Sequence, residues 1–373
     1  MKRFSIICLI LIAIAGCKFD PSGYPLHEGL VDGDATAQTK VLFNNLKAIS
    51  AEGGKILIGH QETTAYGVGW WDDPEAAETS DIKKVCGSFP AVYGWDAEGV
   101  TGGTNIDGVN FARMRELVAS AYARGGINTF SWHLHNIPNG GTAWDIKADI
   151  NRILPGGDRH EVYTAELDAL ADYFLSLKGP NGELIPIIFR PFHENNGTWF
   201  WWGSASCTPD EFKALWRFTV TYLRDTRHVH NLLYAYSPDR FLGYDGYLRR
   251  YPGNEWVDIM GHDNYGDFTY GSSLCGLMRL SQLTEMAEAF GKVPALTESG
   301  SEGVPLSNWW SLFLNPIKSC MKPSRIAYVL FWRNANESHH YAPYPGDKSE
   351  EDFIKFYNDP VTIFENDLPD MYQ

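Results

Sequence analysis

The stretch Ile185-Pro186-Ile187-Ile188-Phe189-Arg190-Pro191-Phe192-His193-Glu194-Asn195-Asn196 carries the pattern on which the fold turns. It is an apolar run without alternation that ends abruptly in imidazole, carboxylate and amide groups. A strand with one wet face alternates polar and apolar residues, whereas a parallel strand covered on both faces reads as a nearly continuous apolar run. Seven further runs of this kind flank it, at Ile56–His60, Ala91–Trp95, Ile127–Leu134, Leu232–Tyr236, Val257–Asp263, Val293–Thr297 and Ala327–Trp332. Longer segments with helical spacing lie between them. Thr208 is placed to cap a helix opening with Pro209-Asp210-Glu211, and Leu277–Phe290 and Val304–Leu314 carry amphipathic spacing. Strand and helix alternate along the chain, which predicts the α/β class. Eight repeats predict closure into a (β/α)8 TIM barrel, one catalytic domain over 35–373. No Gly-x-Gly-x-x-Gly follows the first run, which argues against a dinucleotide fold.

The residues just past each run place the site. The first run leads into His60-Gln61-Glu62, the second into Asp96, the third into His133-Leu134-His135-Asn136, and the fourth into His193-Glu194-Asn195-Asn196. The fifth leads into Ser237-Pro238-Asp239, the sixth into Asp263-Asn264-Tyr265, the seventh into Glu298-Ser299, and the eighth into Trp332-Arg333-Asn334. In a (β/α)8 barrel the carboxyl ends of the strands converge on one rim, where active sites form.

Two glutamates stand out on that rim. Cleaving a glycosidic bond requires a proton for the leaving oxygen and a nucleophile or activated water for the anomeric carbon, and two carboxyl groups supply both. Glu194 lies beside His193 and the cluster Trp199-Phe200-Trp201-Trp202; partial desolvation there raises a carboxyl pKa and suits it to act as the acid. Glu298 follows Val293-Pro294-Ala295-Leu296-Thr297, which contains nothing else ionisable. Tyr265 is placed to donate its phenolic proton to Glu298. The structural alternative makes both glutamates ion-pair partners of rim arginines such as Arg190 and Arg333. His60 reads as a barrel-top histidine, Asp96 and Asp263 as buttresses or substrate contacts, and Tyr66, Trp70 and Trp71 as outer-subsite or loop-packing residues. Trp199, Trp201 and Trp202 cannot all face a cleft, because adjacent residues point in different directions.

The stretch Arg190–Gly203 resembles the acid/base signature of glycoside hydrolase family 26, a clan A family best known for β-1,4-mannanases, and the resemblance extends along nearly the whole chain. His193 stands where most clan A families carry Asn, a substitution typical of family 26. The resemblance implies that Glu194 is the acid/base, Glu298 the nucleophile and Tyr265 the residue orienting it. It further implies substrate contacts from His133 and His193, with His193 toward the axial 2-hydroxyl of mannose. Trp332 falls on the aromatic floor beneath the sugar at the cleavage point and Trp199 on a nearby platform. The family's Trp-His-x-x-Asn-Pro pattern is interrupted here, where Trp132-His133-Leu134-His135-Asn136-Ile137-Pro138 carries Ile137 before the proline. The implied activity is retaining hydrolysis of internal β-1,4 bonds in mannan, galactomannan or glucomannan. Mannobiose release from chain ends, β-1,3-1,4-glucanase and β-1,3-xylanase action are the alternatives within the family. No cofactor and no metal are expected, since side chains cover both proton transfer and nucleophilic attack.

The remaining features bound the setting. Lys2 and Arg3 precede an apolar run from Phe4 to Ala15 that is short for a bilayer span and reads as a signal-peptide core over 1–16. Ile14-Ala15-Gly16-Cys17 resembles a bacterial lipobox, with lipidation at Cys17, a tether over 17–34, and a periplasmic or outer-membrane-anchored location. The net charge of −15 argues against nucleic-acid and anionic-lipid partners, leaving the anchor as the expected membrane contact. A monomer is expected. Thirteen Trp and nineteen Tyr suit either a saccharide cleft, where sugar C–H faces stack on aromatic planes, or a large aromatic core. Cys86, Cys207, Cys275 and Cys320 permit three disulfide pairings and lack zinc-site spacing. Two rivals come from other classes. One is a metal-dependent barrel hydrolase using His133 and His135 with Asp263 and His193; the other is a glycan-binding lipoprotein without catalysis.

Overall fold

The computed structural model describes residues 19–320 and 325–373. The leader expected over 1–16 and the lipidation site expected at Cys17 lie outside the described residues. Eight parallel strands follow one another in chain order: β1 (Ile56–Gln61), β2 (Val92–Asp96), β3 (Ile127–Trp132), β4 (Ile187–Pro191), β5 (Leu232–Tyr236), β6 (Ile259–Asn264), β7 (Val293–Ser299) and β8 (Tyr328–Phe331). Pairing of β8 with β1, from Leu57↔Tyr328 to His60↔Phe331, closes the barrel. Helix α1 (Ala37–Glu52) precedes β1. Then α2 (Asp81–Cys86), α3 (Phe111–Ala123), α4 (His160–Ser176), α5 (Pro209–Thr221), α6 (Gly243–Leu248), α7 (Leu274–Phe290), α8 (Trp309–Ser319) and α9 (Glu350–Tyr357) follow the strands one by one. The architecture is the (β/α)8 TIM barrel.

The apolar runs serve two cores. Leu57, Ile188, Leu233, Ile259, Val293 and Leu330 point into the barrel, and Leu42, Phe43 and Leu46 of α1 complete the same cluster. Their strand neighbours point outward onto the helices: Ile56, Ile58, Val329 and Phe331 pack against Trp309, Trp310, Phe313 and Phe353. Phe130, Phe189 and Tyr236 pack against helix residues such as Phe174, Phe212 and Trp216. Successive residues thus alternate between two apolar environments, which is why the sequence reads as unbroken.

Local chemistry sets the helix ends. Thr208 Oγ1 accepts from the Glu211 amide at 3.3 Å while Glu211 Oε2 accepts from the Thr208 amide at 2.8 Å, a reciprocal cap on α5. The helix anticipated from Val304 begins instead at Trp309. Val304 sits at φ +35° and Pro305 follows it, so the chain turns there before Asn308 opens the helix. Before α1, Phe19 packs against Tyr244 and Phe290, and the Val31 amide donates to Asp258 at 2.8 Å, beside the start of β6. Seven tryptophans, among them Trp201, Trp202, Trp309 and Trp310, are fully buried, so most of the aromatic surplus is core. Cys86, Cys207 and Cys275 are free thiols, so none of the three pairings forms. None of the described helices is long and apolar enough to cross a membrane.

Candidate active site

The backbone itself aims the two glutamates. Between Leu296 and Glu298, β7 carries one more residue than its neighbours: Leu296 pairs with His262, but Glu298 pairs with Asp263, and the register with β8 shifts at the same point. A bulge of this kind re-aims the side chain after it. After β4, Phe192 and Glu194 adopt φ +50° and +51°. This is a left-handed conformation uncommon for side-chain-bearing residues and concentrated at functional sites. The Glu194 amide donates to Ser237 O at 2.7 Å, and its carbonyl accepts from Gly197, which fixes the turn.

One carboxylate oxygen each of Glu194, Asp263 and Glu298 lies within 4.8 Å of the other two. Arg190, fully buried on β4, donates to Asp263 at 2.8 Å and to Glu298 Oε1, and so supplies the counter-charge beneath the pair. Removing one partner of such a buried network leaves an uncompensated charge at a cost of about 3–5 kcal/mol. Tyr265 Oη donates to Glu298 Oε2 at 2.8 Å. Both oxygens of Glu298 therefore accept hydrogen bonds, which orients the carboxylate.

Glu194 has the opposite environment. Burial, then the nearby charges of Glu298 and Asp239, push its pKa up to about 8, although Trp199 Nε1–H donates to its Oε2 at 2.6 Å and pulls the other way. At neutral pH it is a carboxylic acid, able to give up a proton. A carboxyl group kept protonated by its surroundings is what a general acid needs.

A cavity of about 480 Å³ joins these residues and contains Glu194, Glu298, His133, His193, Trp199, Tyr265 and Trp332, whereas Asp96, Asp263, Tyr66, Trp70 and Trp71 do not line it. A larger hollow of about 670 Å³, over Cys207, Arg240 and Arg250, contains none of them and lies away from the carboxylates. Asp96 accepts from His133 Nδ1 at 2.6 Å and so fixes its ring. Burial opposes charging His133, but this carboxylate outweighs it and raises the pKa. His193 packs edge-on to His133 at 4.5 Å; burial first, then the Arg190 and His133 charges, hold it well below its ordinary value, hence neutral. The Trp332 ring centroid lies 6.0 Å from that of His133.

Other candidates prove structural. Trp201 and Trp202 donate to the Leu134 and His193 carbonyls inside the core. His60 is buried against Asn334, and burial lowers its pKa to about 4. Asn136 ties the following loop together through the Asp145 and Lys147 carbonyls. His135 faces Glu98 and Glu166 while His133 faces Asp96, so the His-x-His pair does not converge on one point and fits no shared metal. Of the rim arginines, Arg190 does pair with Glu298, whereas Arg333 pairs with Asp107.

Sequence reasoning missed Asp107, Trp144, Phe200 and Tyr341 as cavity residues and considered Arg333 only as an ion-pair partner. They arrive on loops whose course no periodicity reports. Adjacency to Trp332 is the one signal that marks Arg333.

The chain has clear relatives. The sequence profile of glycosyl hydrolase family 26 matches residues 31–328. A mannan endo-1,4-beta-mannosidase of Bifidobacterium adolescentis is 34% identical over 87% of this chain, and this chain spans 34% of that protein's length. One from Bacillus subtilis is 32% identical, with 89% of this chain and 90% of the relative covered. Among solved structures, a GH26 beta-mannanase from Bacteroides ovatus superposes with a TM-score of 0.83 at 40% identity, covering 91% of this chain and 98% of the other. A modular endo-beta-1,4-mannanase from Cellulomonas fimi gives 0.84 at 39% identity, covering 92% and 79%.

Proposed function

The chain belongs to glycosyl hydrolase family 26, and from that premise we propose that it is a retaining endo-β-1,4-mannanase acting by double displacement on mannan, galactomannan or glucomannan. The observation that carries the mechanism is the approach of one Glu194 carboxyl oxygen to within 4.8 Å of one Glu298 carboxyl oxygen. Retaining enzymes hold the two carboxyl groups about 5–5.5 Å apart and inverting enzymes roughly 6.5–9.5 Å, and so close an oxygen approach supports the retaining spacing.

In this reading Glu298, held in place by Arg190 and Tyr265, attacks the anomeric carbon while Glu194 protonates the leaving oxygen. A covalent glycosyl ester on Glu298 results. Glu194, now a carboxylate, deprotonates the water that cleaves the ester, which regenerates both groups. Trp332 forms the floor under the sugar being transferred, Trp199 a platform beside the acid, and His133 and His193 contact the sugar hydroxyls. Neutral His193 can either donate to or accept from an axial 2-hydroxyl, according to its tautomer. The mannan assignment draws on the activity of the Bacillus and Bifidobacterium relatives.

Product analysis of the purified chain on mannan, mixed-linkage β-glucan and β-1,3-xylan, with and without chelator, tests this. A ladder of manno-oligosaccharides from mannan, insensitive to chelator, is expected. Mannobiose alone from the earliest times would make the enzyme end-acting, and activity confined to glucan or xylan would overturn the substrate. We also propose export and lipid anchoring at Cys17, on the strength of Lys2-Arg3, the apolar run and Ile14-Ala15-Gly16-Cys17. Incorporation of labelled palmitate that disappears in Cys17→Ala is the expected outcome; equal labelling of the two would refute it.

A further inference from the structure

Three tryptophans among the described residues are exposed: Trp71, Trp144 and Trp199. Trp144 and Trp199 line the catalytic cavity, but Trp71, 61% exposed, does not. It is nonetheless joined to the cavity by short steps. Asp107 and Arg333 line the cavity and pair at 3.0 Å. Arg333 donates to Tyr66 Oη at 3.3 Å, and the Tyr66 and Trp71 rings lie 5.0 Å apart. On the other side the Trp71 ring edge stands 3.7 Å from where a Cβ on Gly108 would be, directly beside Asp107.

The ring is held rather than loose. Tyr66–Gly67 and Trp70–Trp71 form a small antiparallel hairpin. Asp81 accepts from Trp70 Nε1 at 2.6 Å and from the Val68 amide at 2.9 Å, which pins the turn. Asp72, next to Trp71, takes both arms of Arg113 at 2.6 and 3.0 Å. Trp70 is thus the packing residue of the pair, and the same hairpin presents Trp71 to solvent. A large aromatic fixed in water gains nothing for folding from its exposed face, and a rigid aromatic loses little entropy on binding.

Rim order tells which part of a glycan it would meet. Glu194 follows β4 and Glu298 stands near the end of β7, so β5 and β6 lie on one side of the pair and β8, β1, β2 and β3 on the other. Trp332, the floor for the transferred sugar in the proposed reading, follows β8. The side holding β8 and β1 is therefore the glycone side, and the Trp71 hairpin follows β1. We infer that Trp71 is a stacking platform for a distal sugar of the β-mannan chain on the non-reducing side of the cleavage point, reached past Asp107 and Arg333. This rests on the mannanase reading and adds to it a determinant of the length of chain held behind the cut.

The full chain, Trp71→Ala and Trp71→Phe are compared on mannotriose and on mannohexaose carrying ¹⁸O at the reducing end, with cleavage positions read by mass spectrometry. An aromatic stack is worth about 0.5–1.5 kcal/mol, or up to about tenfold. Trp71→Ala is expected to lower the hexaose-to-triose ratio of kcat/KM by about tenfold, chiefly through the hexaose KM. It should also shift hexaose cleavage toward fewer sugars on the non-reducing side, while Trp71→Phe restores most of both. An unchanged ratio and cleavage pattern in Trp71→Ala would overturn the platform and leave the mannanase reading standing. Equal loss on both substrates would overturn it in favour of a structural role, and wild type inactive on every β-mannan would overturn both.

Discussion

Replacing Trp199 by Phe should extend activity to higher pH, the reverse of what damage to an active site would suggest. Trp199 Nε1–H donates to Glu194 Oε2 at 2.6 Å and stabilises the carboxylate form, whereas burial and the Glu298 charge stabilise the protonated acid. The balance stands at about 8. On the proposed mechanism the first chemical step needs Glu194 protonated, so kcat/KM falls as pH rises through that value. Phe keeps a ring on the platform but removes the donor. A hydrogen bond to a charged group is worth about 1.5–3 kcal/mol, and 1.36 kcal/mol corresponds to one pKa unit, so complete loss would raise the pKa by roughly 1–2. Trp199 is 38% exposed, so water replaces part of the bond and an upward move of about 1 is the working figure. The assay is the pH dependence of kcat/KM on a linear manno-oligosaccharide, read from the position of the alkaline limb rather than its height, because weaker stacking lowers the height alone. An alkaline limb that stays put or moves down in Trp199→Phe would refute the assignment of that limb to Glu194.

Three further outcomes rest on the same structure. Glu298→Ala should abolish turnover of every substrate, whereas Glu194→Ala should retain cleavage of aryl mannosides with good leaving groups, which need little protonation; equal loss in both would contradict the roles. Tyr265→Phe removes one of the two donors to Glu298 and should lower kcat/KM by roughly 10- to 100-fold, about 1.5–3 kcal/mol, in steady-state kinetics with circular dichroism unchanged. Thr208→Ala breaks the reciprocal cap on α5 far from the carboxylates. It should cost about 1 kcal/mol in urea unfolding and leave kcat alone.

The barrel is legible in the sequence because parallel strands buried on both faces leave unbroken apolar runs, and those runs end where the chemistry sits. Glu194 and Glu298 can be found for that reason, and Thr208 because a capping box is a local pattern. The start of α8 is not, because amphipathic spacing continues through Val304, where a positive φ turns the chain. The tryptophan count is ambiguous: Trp201 and Trp202 share a motif with Trp199, yet only Trp199 is exposed. Asp107, Trp144 and Tyr341 escape sequence reading, because they reach the cavity on loops whose path depends on contacts such as Arg333 with Asp107 and Asn136 with Asp145. Arg190, inside an apolar run, announces a buried charge, but only the fold brings Asp263 and Glu298 to meet it.

The central claim is that Glu194 and Glu298 work as acid and nucleophile in a double displacement. Proton NMR during the first minutes of manno-oligosaccharide hydrolysis, before mutarotation, tests it most directly. The account predicts that the β-anomer appears first and the α-anomer only as the sugar equilibrates. First appearance of the α-anomer would mean a single displacement by water and would contradict the assignment of Glu298.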